Sequence, residues 1–123
     1  MEKEFIPYKL ALALKELGFD EPCFKGYTEE YKTLISFSST NTNTSVKNAL
    51  PTKPFTAPLY QQAFRWFREK YELWQIIQQN TDKDWTYDIM PIIGMIDYKL
   101  FDVFDTYEEA ELECLKKLIE IVK

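Results

Sequence analysis

Tyr60, Ala63, Phe64, Phe67 and Tyr71 recur at intervals of three and four residues, a spacing that a 3.6-residue period gathers into one apolar stripe. The stretch is therefore read as an amphipathic helix with most of its aromatic mass on one side. The rest of the chain must supply the surface on which that side packs. Gln61, Arg65, Arg68 and Glu72 fall on the opposite face. Thr56 is the expected N-cap, and Pro58 is expected within the first turn, where its missing N–H has no intrahelical acceptor to lose. Arg65 with Glu69, and Arg68 with Glu72, are opposite charges one turn apart, each pair contributing about 0.2–0.5 kcal/mol on an exposed helix.

Toward the N-terminus, residues 6–17 read as a first helix. Pro7 suits its first turn, Ile6, Leu10, Ala13, Leu14 and Leu17 form its buried stripe, and Lys9 and Lys15 face solvent. Gly18 supplies a left-handed stop, past which Phe19 folds back onto the stripe. Residues 23–27 and 32–38 are short, rich in β-branched and aromatic side chains and separated by Thr28-Glu29-Glu30, which predicts a hairpin. Residues 39–55 have the polar, proline-punctuated composition of a loop, which is expected to be mobile.

After the central helix, residues 73–79 read as a strand because of Trp74 and the pair Ile76-Ile77, with continuation of the helix as the alternative. Asn80-Thr81-Asp82-Lys83-Asp84 is a turn. Residues 85–90 and 98–104 alternate large apolar with polar residues as strands do, with Pro91 ending the first and Gly94 turning between them. Thr106-Tyr107-Glu108-Glu109 has the form of a capping box. The helix it opens buries Ala110, Cys114, Leu115, Leu118, Ile119 and Val122 and carries its acidic residues first, as the helix dipole favours. The expected order is α-β-β-α-β-β-β-α: an α+β fold in which an antiparallel sheet of about five strands packs against three helices, in a single domain spanning residues 1–123.

Composition narrows the function. With 123 residues, 46% of them hydrophobic, the chain can bury a core. No stretch approaches transmembrane length, and the apolar positions of residues 5–17 are interrupted by Lys9, Lys15 and Glu16, so a cytoplasmic protein is expected. The absence of histidine removes the common zinc patterns and His-dependent acid–base chemistry. Cys23 and Cys114 are then read as reduced, buried thiols. A net charge of −5 opposes general affinity for nucleic acid.

The run APLYQQAFRWFREKY at 57–71, the run TYEEAELECLKKLIEIVK at 106–123, and the opening Ile6-Pro7-Tyr8 through Leu17-Gly18-Phe19-Asp20-Glu21-Pro22-Cys23 carry a resemblance. In these segments the chain resembles a group of short uncharacterised proteins that recur in gut Bacteroidales genomes and in their phages and mobile elements. Residues 28–55 and 72–104 match that group poorly. The group brings no established activity, so no catalytic or binding residue carries over. The resemblance implies a small intracellular accessory protein of a phage or mobile element.

Three kinds of candidate surface follow. Trp66, Trp74, Trp85, Tyr87 and Tyr98 form an aromatic interaction patch if one face of the sheet is left uncovered, and otherwise a thick aromatic core. Arg65, Trp66 and Arg68 would serve a nucleic acid, the indole stacking on a base and the arginines meeting phosphates. Asp84, Asp88, Asp97, Asp102 and Asp105 would hold a divalent ion if they gathered at one end of the sheet, but their alternation with apolar residues is also what a solvated strand face requires. The leading expectation is a non-enzymatic protein, without cofactor or metal, that binds a host protein, a phage protein or another copy of itself. Nucleic-acid binding and a carboxylate-dependent enzyme are the alternatives.

Overall fold

A computed structural model describes residues 4–30, 32–46, 53–79, 81–90 and 103–123. The elements are α1 (Tyr8–Leu17), β1 (Cys23–Tyr27), β2 (Leu34–Asn41), β3 (Phe55–Thr56), α2 (Tyr60–Tyr71), β4 (Trp74–Gln79), β5 (Trp85–Met90) and α3 (Tyr107–Val122). The class is α+β, with three helices and antiparallel strand pairing among the described residues. The strands form two sheets, β2-β1-β3 and β4-β5, rather than the single sheet expected. The chain divides into two compact units, Met1–Gln62 and Ala63–Lys123, and the division falls within α2.

In the first unit, Pro7 stands one place before the helix, as N-cap of α1, and its carbonyl accepts the N–H of Ala11 at 2.9 Å. The stop at Gly18 is as expected. Its φ of 99° is left-handed, its N–H donates to Lys15 O, and the next N–H, of Phe19, reaches back to Leu14 O. Phe19 is buried. Leu10, Ala11 and Leu14 form the buried stripe of α1, while Ala13 and Leu17 are half-buried. β1 runs down the middle of its sheet, and Gly26 lies where two neighbours converge. A Cβ there would overlap the Phe55 carbonyl oxygen and stand 2.5 Å from Phe37 Cζ. Tyr8, Tyr27 and Phe55 pack ring on ring beside this crossing, and the Tyr27 hydroxyl donates to Ile6 O at 2.9 Å.

At its two ends the polar stretch 39–55 is strand rather than the expected loop. β2 continues through Asn41, and Phe55 already belongs to β3. Between them Asn43 ties two elements together: its amide donates to Phe19 O and its Oδ1 accepts the Thr56 N–H, both at 2.8 Å. Asp20 accepts both the N–H and the hydroxyl of Thr44 at 2.7 Å, which holds its carboxyl below the usual aspartate value. Residues 47–52 lie outside the described residues. Thr56 is a buried strand residue rather than the N-cap of α2, and Pro58 precedes the helix instead of lying within its first turn.

In the second unit, α2 ends at Tyr71 because Glu72 adopts φ 60° and turns the chain into β4, so the helix does not continue to residue 79. β4 and β5 pair in an unbroken register from Trp74 opposite Met90 to Gln79 opposite Trp85. The turn between them is held by Asp84 Oδ1, which accepts the Thr81 N–H and hydroxyl. Of the strand expected at 98–104, Phe104 exchanges both backbone hydrogen bonds with Trp85 at 2.8 Å, while residues 98–102 lie outside the described residues, as do Pro91 and Gly94.

α3 opens on Thr106 as expected, its hydroxyl accepting the Glu109 N–H at 3.1 Å. The Glu109 carboxylate returns to the N–H of Asp105, one residue earlier than a strict capping box would place it. Ala110, Cys114, Leu115, Leu118 and Ile119 are buried, and α3 packs against β5 and β4. Val122 is half-buried, and Glu111 joins the buried set.

Candidate functional site

Cross-strand partners in an antiparallel pair point to the same side of a ribbon, and successive residues alternate. One side of the β4-β5 ribbon therefore carries Trp74, Ile76 and Gln78 opposite Met90, Asp88 and Thr86. The other carries Gln75, Ile77 and Gln79 opposite Ile89, Tyr87 and Trp85. The second side is the packed one: Ile89 is buried, Trp85 meets Tyr107 of α3 edge to face at 5.3 Å, and Tyr87 stacks on Phe104 at 6.1 Å. The first side is open. Trp74 is 56% exposed, Met90 44% and Ile76 40%, and Trp74 and Met90 are directly opposite each other.

This grouping divides the aromatic candidates. Trp74 is the exposed anchor, whereas Trp85 and Tyr87 are half-buried and committed to Tyr107 and Phe104. Tyr98 lies outside the described residues. Trp66 is buried at 7% exposure, with its ring edge to face on Phe67 at 5.1 Å and on Tyr71 at 5.6 Å. An indole so placed offers no free face to a base, and Arg65, Trp66 and Arg68 do not make a stacking platform. Trp66 belongs to the same buried flank as Tyr60, Ala63, Phe64 and Phe67, which widens the stripe beyond the spacing first read from the sequence.

Arg65 is exposed on α2. Arg68 does not take up the expected helical pairing with Glu72, because the left-handed turn carries Glu72 off the helix. Its guanidinium instead lies 5.7 Å from the Trp74 ring centroid, and Nη1 donates to Gln75 Oε1 at 3.4 Å. The open face thus carries an indole, two aliphatic side chains and Asp88 opposite Ile76, with the Arg68 guanidinium at the flank of β4, beside the indole and bonded to Gln75 of the other side.

Met90 and Ile76 were legible as strand residues, but nothing in an alternating pattern says which of two apolar sides remains open. The useful signal was local charge. The run 73–79 contains no charged residue, no proline and no glycine, whereas solitary edge strands are ordinarily guarded by lysine or proline.

Among the described residues no group of three or more aspartate, glutamate, cysteine or histidine side chains is placed to hold a metal. Asp84 serves its turn, Asp88 Oδ1 accepts the Ile89 N–H, and Asp97 and Asp102 lie outside the described residues. Both cysteines are free and buried. Burial pushes the Cys23 thiol up to about 11, and burial together with the nearby Glu111 and Asp88 carboxylates raises that of Cys114 as well, so neither is an activated nucleophile. No helix among the described residues is long and apolar enough to cross a membrane.

Fold and site together define a small α+β protein with an aromatic and aliphatic face open on a two-stranded ribbon. The chain matches no family model, no curated protein and no solved structure.

Proposed function

We propose that the protein is a non-enzymatic interaction module that binds another protein through the Trp74, Ile76 and Met90 face of its β4-β5 ribbon. The observation that carries this reading is the clustering of three large, exposed apolar side chains on one side of a paired ribbon, one of them a tryptophan backed by an arginine. Tryptophan and arginine anchors dominate the binding energy of protein interfaces, and an apolar cluster held in cross-strand register needs no rearrangement to dock. The resemblance carried by residues 6–23, 57–71 and 106–123 favours an accessory role in a phage or mobile element, exercised inside the bacterial cell.

A photo-crosslinking side chain introduced at Ile76 tests the face in living bacterial cells. It is expected to capture a protein, and the capture is expected to vanish when Trp74→Ala is added. The same probe at Lys83, in the turn beyond the face, is the control. Equal capture from both positions, or capture indifferent to Trp74, sinks the proposal.

A further inference from the structure

We infer that the ribbon takes its partner as an added strand along the outer edge of β4: an extended segment of another protein that carries an acidic side chain. The inference rests on the protein-binding reading just given and names the chemistry of the partner. In an antiparallel ladder the N–H and C=O of one residue point the same way, and successive residues alternate between the two neighbours. Trp85 and Phe104 exchange both of their backbone hydrogen bonds, so Trp85 is turned away from β4, and by alternation so are Tyr87 and Ile89. Their partners across the register, Gln79, Ile77 and Gln75, are then turned away from β5. The N–H and C=O groups of these three form a row with a repeat of about 6.8 Å. Among the described residues no other backbone group answers that row.

Other edges of the fold are engaged or interrupted. On the outside of β5, Phe104 answers Trp85, and the Asp88 carboxylate takes the Ile89 N–H at 2.9 Å. In the first unit Asn43 Oδ1 takes the Thr56 N–H of β3, and the β1-β2 ladder loses register between Cys23 and Lys25, an irregularity of the kind that spoils an edge for a partner. β4 has neither device. Its six pairs run in unbroken register, and 73–79 contains no charge, proline or glycine. A row of backbone donors and acceptors at strand spacing is complementary to another extended backbone. The added strand lies about 4.8 Å from β4, so its side chains on the open side continue the Trp74 and Ile76 cluster, and apolar residues are favoured there. Arg68 sets the charge. Its guanidinium bonds Gln75 on one side of β4 and lies beside Trp74 on the other, so it stands at that end of the edge, with no carboxylate paired to it among the described residues. An acidic side chain on the added strand supplies one. The β4 of a second copy brings none, because 73–79 is uncharged, so the occupant is a different chain.

The probe is a displayed library of short random peptides selected on the full chain, followed by amide exchange of the protein with and without the selected peptide. In the free protein the Gln75, Ile77 and Gln79 amides are expected to exchange far faster than those of Ile76 and Gln78, which point to β5. The selected peptide is expected to carry an acidic residue, to protect those three amides, and to bind about tenfold more weakly to Arg68→Ala and to Gln79→Pro. Proline at 79 removes an outward N–H and leaves the β4-β5 ladder its bonds. Circular dichroism checks that each variant has folded, and the exchange pattern of the wild type needs no variant. Slow exchange of the three amides in the free protein overturns the inference, as does a selected peptide that leaves them unprotected. Protection that appears on concentrating the protein alone, in a particle of twice 14.7 kDa, gives the edge to a second copy and overturns it too. If selection yields no peptide, or one that leaves the edge amides exposed, while the Ile76 probe still captures a protein in a Trp74-dependent way, the added strand fails and the protein-binding reading stands. If neither peptide nor capture is seen, both fail.

Discussion

Gly26→Ala places a methyl group where β1 is crossed from two directions. The Cβ would overlap the Phe55 carbonyl oxygen and stand 2.5 Å from Phe37 Cζ. A ring edge can swing aside, but the carbonyl is fixed by the pairing of Tyr27 with Phe55 and Gly26 with Thr56, and β3 is only two residues long. Relief therefore comes from pushing β3 away, which stretches the bond from the Ala57 N–H to Lys25 O, now 2.8 Å. Overpacking of this kind costs about 1–3 kcal/mol, and the stiffer unfolded chain returns about 0.4–1. A net loss of about 1–2 kcal/mol corresponds to a fall in melting midpoint of about 5–10 °C for a unit of this size. The assays are thermal unfolding by far-ultraviolet circular dichroism and amide exchange at Ala57, whose protection should drop more than that of the β1-β2 amides. The companion variant, Gly26→Ala with Phe37→Ala, removes the ring but not the carbonyl. Stability equal to wild type in the single variant, or complete recovery in the double one, would refute the reasoning.

Thr106→Ala removes the acceptor for the Glu109 N–H and should cost about 1 kcal/mol in chemical denaturation, with the first turn of α3 losing amide protection. Both thiols should react with an aromatic disulfide reagent at pH 8 far more slowly in the native protein than in denaturant, where two equivalents are released; prompt native reaction would contradict the burial of Cys23 and Cys114. The Asp20 carboxyl is depressed below 3.8 by the Thr44 hydroxyl and N–H, so its contribution is complete above that value and is lost as pH falls through the lower folded-state value. Asp20→Asn should therefore narrow the stability difference between neutral and strongly acidic solution, as measured by urea midpoints across that range.

Local chemistry was the legible part of the fold. Gly18 stops α1 because a left-handed residue is needed there, and Thr106 opens α3 because its hydroxyl answers an orphan N–H, both within a few residues of the evidence for them. β3 was invisible for the opposite reason. Two residues carry no periodicity, and what makes Phe55-Thr56 a strand is β1 on one side and the Asn43 side chain on the other. The same distance problem hid the division into two sheets, since each strand has the right alternation whichever sheet it joins. Trp66 read as a candidate surface residue because it lies just off the stripe of Tyr60, Phe64 and Phe67, yet the helix is enclosed widely enough to bury it. For the candidate site, Trp74 could be named from the sequence but its exposure could not, because openness is a property of what Tyr107, Phe104 and α3 cover on the other side.

The three tryptophans have an optical consequence. All of them lie in Ala63–Lys123, and their surroundings are graded from buried Trp66 through half-buried Trp85 to open Trp74. Red-edge emission therefore originates in Ala63–Lys123, since the aromatic rings of Met1–Gln62 are tyrosine and phenylalanine alone, and it decomposes into a short-wavelength, shielded component and a long-wavelength one that iodide can quench. Whatever settles on the ribbon face will announce itself as a blue shift of the quenchable component, with no label added.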